Sequence, residues 1–304
     1  MKSMLLGLVA VLVLVAALPS AAAPPPLRVD YAGSMGAVMD LGLAPVFAKA
    51  HKVRYQGIGQ GSYALAHLLI SGQRRADVFV TITPGPMRLL QKAGLVDRAV
   101  PIASTRMVVI YSPKSRFVAA FRAAAAGTGQ WYDVLRRPGL RFGRTDPSLD
   151  PQGANVLLTL RLASMYYHQP ALLRQVAGTG RNVQQIFTET SLLSRLEAGE
   201  IDATIGYYSA ARSHHLPTIA LPAEVDLADP ALQATWYARA DYRLADGHPL
   251  RAEPLVFYAA VLKNAPDPRL GHAYVDFLTG PQGQQILHRY GYGKPHGGDL
   301  TGVR

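Results

Sequence analysis

Three times in the first third of the chain an apolar stretch runs into a glycine, serine or proline turn and then into a segment with helical spacing. This alternation limits the possible folds more than any other feature. Residues 27–31 read as a strand, Ala32-Gly33-Ser34 as its turn and 38–50 as a helix. A strand at 53–57 leads into Gly57-Ile58-Gly59-Gln60-Gly61-Ser62 and a helix over 63–71. A strand at 76–82 leads into a helix from Pro84 to Ala93. Such units in series predict a parallel sheet with helices on its faces, and ligands of such sheets sit at the carboxyl ends of the strands.

A second array follows a strand at 107–111. It contains an alanine-rich segment, a short helix at 131–136 ended by Pro138 and a strand at 140–144. Beyond a proline- and aspartate-rich loop at 145–153 come helices at 154–167, 171–176 and 192–198, the last stopped by Gly199. A strand at 201–206 opens into a segment at 207–211. An apolar strand at 255–262 carries the chain back, and helices at 273–278 and 283–290 pack on the first lobe. The 304 residues exceed the ~100–200 usual for one core, so an α/β chain of two lobes is expected. Lobe 1 is expected at 27–108 and 256–304, and lobe 2 at 109–255. Two crossing strands, near 107–111 and 255–262, form the hinge. No short internal repeat is present.

Lys2, an apolar run over 5–18 and the small residues Ala21-Ala22-Ala23 read as a secretory signal peptide at 1–22, cut near Ala22. No later run is long enough to span a bilayer. There is no cysteine, which excludes disulfides, thiolate metal sites and a lipid on an N-terminal cysteine. A soluble monomer of the periplasm is expected. The formal net charge of +11 attracts anions. The basic residues are scattered, with pairs such as Arg74-Arg75 as the longest clusters, and no basic stripe with aromatic platforms points to nucleic acid. Neither G-x-S-x-G nor H-E-x-x-H is present, and no histidine is marked out as a base for Ser62, so an enzyme is not expected. Gly57, Gly59 and Gly61 with Asp77 fall short of the full dinucleotide fingerprint.

Ser34 and Ser62 each follow a strand and open a helix. A helix start offers unpaired N–H groups and the positive end of a dipole, and a hydroxyl adds a donor. Each serine alone fits an ordinary N-cap; two at one sheet edge favour an anion site. The loop at 146–153, with its two Asp-Pro steps, is the most distinctive stretch, although Asp before Pro also starts plain turns. The strand at 201–206 delivers Gly206 and Tyr207 to its carboxyl end. Tyr207-Tyr208 also suits a hard ferric ion, which keeps a ferric or other small-anion binder as the alternative. His214-His215 read as solvated loop histidines.

Ala32-Gly33-Ser34, Gly61-Ser62, Ala76-Asp77-Val78, Trp131-Tyr132-Asp133-Val134-Leu135, the loop at 146–153, Gly199-Glu200-Ile201-Asp202 and Lys263-Asn264-Ala265-Pro266 come in this order along nearly the whole mature chain. In this the sequence resembles the molybdate/tungstate-binding proteins of ABC importers, above all the branch known from archaea. The resemblance implies a two-lobed type II periplasmic-binding-protein fold with mixed sheets, a molybdate or tungstate ion in the interlobe cleft, no cofactor, and a membrane permease as partner. It implies an oxyanion set of Ser34, Ser62, Asp150 and Tyr207; Gln152 and Gly153 of the distinctive loop are added to that set, Gly61 and Gly206 are further candidates, and Arg106, at the start of the hinge strand, either neutralises the anion or is a solvated surface arginine. The pattern departs at Gly206, where the resemblance implies a glutamate beside the tyrosine. Coordination by two carboxylates is therefore not expected, and neutral donors are expected to hold a tetrahedral dianion. Asp150 then stands against that charge unless it is protonated, turned away or bonded to N–H groups.

Overall fold

The computed structural model describes residues 26–302, and the signal peptide expected at 1–22 lies outside them. The chain enters with β1 (Pro26–Ala32), β2 (Arg54–Gln60) and β3 (Val78–Ile82), and β1 pairs in parallel with both others. The intervening helices are α1 (Ala44–His51) and α2 (Ser62–Ile70), and α3 (Pro84–Lys92) follows β3. The single helix expected at 38–50 is divided, because Val38–Leu43 winds as a π-helix ahead of α1.

β4 (Arg98–Ser104) was not expected, since Pro101 interrupts its apolar run. Pro101 is tolerated because it lies opposite Tyr258, where the pairing register shifts and a ladder donor is not required. The chain then passes to a second sheet of β5 (Met107–Tyr111), β6 (Ala203–Tyr207) and β7 (Thr218–Ala220), in the order β6-β5-β7 and all antiparallel. Its helices are α4 (Val118–Ala125), α5 (Trp131–Leu135), α6 (Pro151–Tyr166), α7 (Leu172–Ala177), α8 (Glu189–Ala198), α9 (Tyr208–Ser213) and α10 (Ala223–Asp226). Of α6 only Arg161 and Tyr166 are exposed, so this helix is the buried spine of the second array. The strand expected at 140–144 forms only two isolated bridges, Phe142 to Ala203 and Arg144 to Ile186.

A hairpin, β8 (Asp241–Arg243) and β9 (Pro249–Arg251), precedes the return to the first sheet through β10 (Val256–Val261). α11 (Pro268–Thr279), α12 (Pro281–Arg289) and β11 (Leu300–Thr301) complete the chain. The first sheet has the order β11-β4-β10-β3-β1-β2 and is mixed, because β10 runs antiparallel to β3 and β4. The chain leaves this sheet after Ser104 and re-enters it at Val256. The boundary expected at 108 falls inside β5, which pairs only with β6 and β7. The two crossings touch: the Thr105 N–H donates to the Leu255 carbonyl at 3.1 Å, and the Leu255 N–H donates to Leu227 at 3.0 Å.

The glycines of β2 serve a ring. A Cβ on Gly57 would lie 2.8 Å from Tyr31 Cε1, and one on Gly59 would lie 2.6 Å from Tyr31 Cε2. Tyr31 lies across β2 and its hydroxyl donates to Asp40 at 2.7 Å, so the ring is anchored. Gly59→Ala is expected to destabilise the protein by about 1–3 kcal/mol, the cost of overpacking a tight site. Gly36→Ala, with nothing within 4 Å of its added Cβ, is the control expected to change little. Thermal melts of the two variants check this.

Candidate functional site

Three helices and a 3-10 turn start at one place. The turn Gly33–Met35 begins where β1 ends, and α2 begins at Ser62 where β2 ends. From the second array, α6 begins at Pro151 behind its N-cap Asp150, and α8 begins at Glu189 behind Thr188. Helix starts carry unpaired N–H groups and partial positive charge, so this convergence attracts anions. The contact across the arrays is close. A Cβ on Gly61 would lie 2.7 Å from the Leu149 carbonyl and 3.1 Å from Asp150 Cβ, and the Ala64 N–H donates to Leu149 at 3.2 Å. A Cβ on Gly33 would lie 3.4 Å from a Glu189 carboxylate oxygen.

Ser34 and Ser62 are buried, and neither hydroxyl has a hydrogen-bond partner. A buried polar atom left in this state costs about 1–3 kcal/mol, which a ligand can recover. Asp150 and Glu189 are each 6% exposed. Burial pushes the Asp150 carboxyl up to about 6, against the pull of the Gln152 N–H that donates to it at 2.9 Å; Asp146 adds to the rise. Burial, then the nearby Asp150, drives Glu189 well above the carboxylate range, although the Ser34 N–H donates to it. Tyr207 is fully buried and accepts from Asn155 Nδ2 at 3.1 Å. Burial, with Glu189 and Asp150 behind it, keeps this phenol protonated, so its own proton remains free to be donated.

The structure thus brings together Ser34, Ser62, Asp150 and Tyr207, with Gly61 at the point of closest approach. Gln152 and Gly153 do not supply donors to the cleft. The Gln152 amide accepts from Thr145 N–H and donates to the Ile205 carbonyl, at 2.8 and 2.7 Å. The Gly153 N–H is taken by Thr145 Oγ1 at 2.7 Å. Both residues brace the loop from behind. Gly206 faces away from the site, since its Cβ would meet Ile110 at 2.9 Å. Arg106 is exposed, with its guanidinium 4.3 Å from the centre of the Tyr208 ring. Tyr208 is half-buried beneath that cation, whereas Tyr207 is buried against Asn155. His214 is bonded to Glu197 at 2.7 Å, a carboxylate the local sequence did not suggest. No group of three or more His, Asp or Glu able to hold a metal ion is present among the described residues.

Glu189 and Asn155 were missed. The second carboxylate that Gly206 left wanting is supplied by the start of α8. An acid in the first turn of a helix is an ordinary dipole partner, so Glu189 carried no signal of its own. Asn155 sits one turn into α6 beyond Asp150, on the same face as Pro151, and this i, i+4 spacing is the one hint of it.

The sequence profile of the bacterial extracellular solute-binding proteins matches residues 27–293. The molybdate/tungstate-binding protein WtpA of Thermococcus kodakarensis is 27% identical over 256 residues, 78% of this chain and 71% of that one. A solute-binding protein of Petrotoga mobilis is 30% identical over 225 residues, 72% of this chain and 68% of that one. The solved periplasmic molybdate-binding protein of Azotobacter vinelandii superposes with a TM-score of 0.60 at 16% identity, over 89% of this chain and 100% of that one. That likeness is one of fold, and the fold is the two-lobed type II arrangement.

The raised carboxyls bind protons more tightly in the folded chain than in the unfolded one. For Asp150 this stabilisation is present below about pH 4 and is lost as pH rises through about 6. Asp150→Asn keeps an oxygen to cap α6 but removes this titration. The melting temperature of the ligand-free variant, relative to the parent, is expected to rise between pH 4 and 7. A difference that stays constant over that range would show that the Asp150 carboxyl is not perturbed.

Proposed function

This chain belongs to the bacterial extracellular solute-binding proteins, and from that premise we propose that it captures molybdate or tungstate between its two lobes and delivers the ion to the permease of an ABC importer. Such proteins bind and hand over a solute; they do not turn it over. The periplasm is the proposed compartment and a monomer the proposed state. The proposed lobes are 26–104 with 256–302, and 107–251.

The observation that carries this reading is the meeting of two unpartnered buried hydroxyls, Ser34 and Ser62, with two buried carboxyls, Asp150 and Glu189. Hydroxyls and N–H groups at helix starts suit the oxygens of a tetrahedral dianion. Two carboxylates beside a dianion repel it, unless they are protonated or their oxygens become ligands of the central atom. Molybdenum and tungsten accept further oxygen ligands; the sulfur of sulfate does not. Asp150 and Glu189 are therefore the proposed source of selectivity against sulfate. This departs from the expectation of a tetrahedral ion held by neutral donors alone, and the reason is the carboxylate that α8 contributes. Of the two tyrosines the ferric reading would need, only Tyr207 is buried; Tyr208 is half-buried beneath Arg106.

Capture follows from the two-lobed arrangement. Ser34 and Ser62 belong to one lobe, and Asp150, Glu189 and Tyr207 to the other. An ion that bonds to both shifts the population to the closed form, which is the shape presented to the permease.

Isothermal titration of the ligand-free protein tests the reading. One-to-one binding of molybdate and tungstate, at least about tenfold weaker in Ser62→Ala from loss of a charge-assisted hydrogen bond, is the expected outcome. Glu189→Gln is expected to narrow the preference for molybdate over sulfate. Equal affinity of the parent for sulfate and molybdate would sink the selectivity, and no oxyanion binding at all would sink the function.

A further inference from the structure

The cleft has a deficit of positive charge. The cavity of about 590 Å³ beside the site is lined by Asp146, Asp150 and Glu189, and by no lysine or arginine. A dianion arriving there adds two negative charges to a place that already holds three carboxyl groups. Helix dipoles offset part of this, each worth a fraction of a full charge.

Thr145, which lines this cavity, is immediately preceded by Arg144. Its side chain is fully buried, at 0% exposure. Nη2 donates to the carbonyls of Thr179 and Gly180, at 3.0 and 2.8 Å, and Nη1 to that of Thr145 at 3.3 Å. Nε has no partner, and no carboxylate lies within ion-pair distance among the described residues. Burial lowers the proton affinity of this guanidinium, but an arginine stays charged in a protein. Asp146 acts on it only from beyond ion-pair distance; a buried charge without a counter-ion in contact is costly, and a glutamine can also donate to carbonyls. The carbonyl contacts alone therefore do not account for a cation here.

The backbone of Arg144 stands between the two carboxylate-bearing segments. Its N–H donates to Gln185 at 2.7 Å, and its carbonyl accepts from Phe187 at 3.0 Å, two residues short of Glu189. On the other side Thr145 holds Gln152 and Gly153, which brace the loop that carries Asp150. We propose that Arg144 is the resident counter-cation of the oxyanion cleft, offsetting the charge of the bound dianion from behind while its backbone bonds to Gln185 and Phe187 help fix the distance between Asp150 and Glu189. The inference rests on the oxyanion reading above. Arg144 does not touch the ligand; it is a positioning residue with a charge.

The test compares tungstate with perrhenate, an ion of the same shape and half the charge, on the parent protein, Arg144→Lys and Arg144→Gln. Arg144→Gln is expected to weaken tungstate on the order of tenfold or more, as loss of a nearby low-dielectric charge requires. Perrhenate should weaken by a clearly smaller factor, and Arg144→Lys should recover most of the tungstate affinity. Equal losses for the two ions would overturn the charge role and leave only a structural one. Unchanged tungstate affinity in Arg144→Gln would overturn the inference outright. Should Arg144→Gln fail to fold, the salt dependence of the parent decides: a buried counter-cation keeps tungstate affinity nearly constant with added salt, and a steep fall would place the attraction on the exposed surface instead. Parent protein that binds no dianion would overturn the oxyanion reading itself, a result distinct from parent binding with an insensitive variant.

Discussion

A helix that starts inside a molecule presents its first N–H groups to whatever stands before it, and the architecture of this protein follows from where those starts are collected. Parallel β1 and β2 place theirs at a common sheet edge, and the second array turns α6 and α8 toward that edge. The protein's own acids already answer part of the demand. Asp150 caps α6 through Gln152, and Glu189 takes the N–H of Ser34. On the proposed function, an incoming anion would enter an exchange in which donors held by internal carboxyls are released to it. The raised proton affinities of Asp150 and Glu189 are the cost of that arrangement, and the idle hydroxyls of Ser34 and Ser62 mark the donors that have not been assigned.

The hinge is tied to the same place. Thr105, in the first crossing, donates from its N–H to Leu255 in the second and accepts from the Ser209 N–H through its hydroxyl, at 3.1 and 3.2 Å. Ser209 lies at the start of α9, two residues beyond Tyr207. Under the proposed lobe division, a rotation of one lobe on the other would be coupled through few bonds to buried Tyr207, and short crossing segments of this kind absorb rotation without unpicking either sheet.

What the sequence revealed was local. The units β1 to α3 were legible because their apolar spacing changes from strand to helix across a turn of small residues, and Ser34 and Ser62 were legible because they sit at those turns. What it concealed depended on distant partners. β4 was hidden by Pro101, whose lost donor is harmless only beside the register shift opposite Tyr258. Glu189 was hidden because an acid at a helix start is common, and only its approach to Gly33, more than 150 positions earlier in the chain, gives it meaning. Gly57, Gly59 and Gly61 fell short of a dinucleotide fingerprint, and the first two serve Tyr31 instead. The loop at 146–153 was distinctive, but Gln152 and Gly153 spend their polarity on Thr145 and Ile205, and Asp150 lines the cleft together with Asp146 and Leu149.

Gly61 leaves a final consequence. Its missing side chain is what permits the Leu149 carbonyl to approach so near, and the thickness of one methyl group is a large part of that separation. The residue therefore acts as a gauge block between two jaws. With hydrogen there, the jaws meet at the bore of a small inorganic ion; with any larger group they would stop short, and the same fold would be sized for a bulkier guest. The spacing of the two arrays at the proposed site is set by an atom that is absent from the chain.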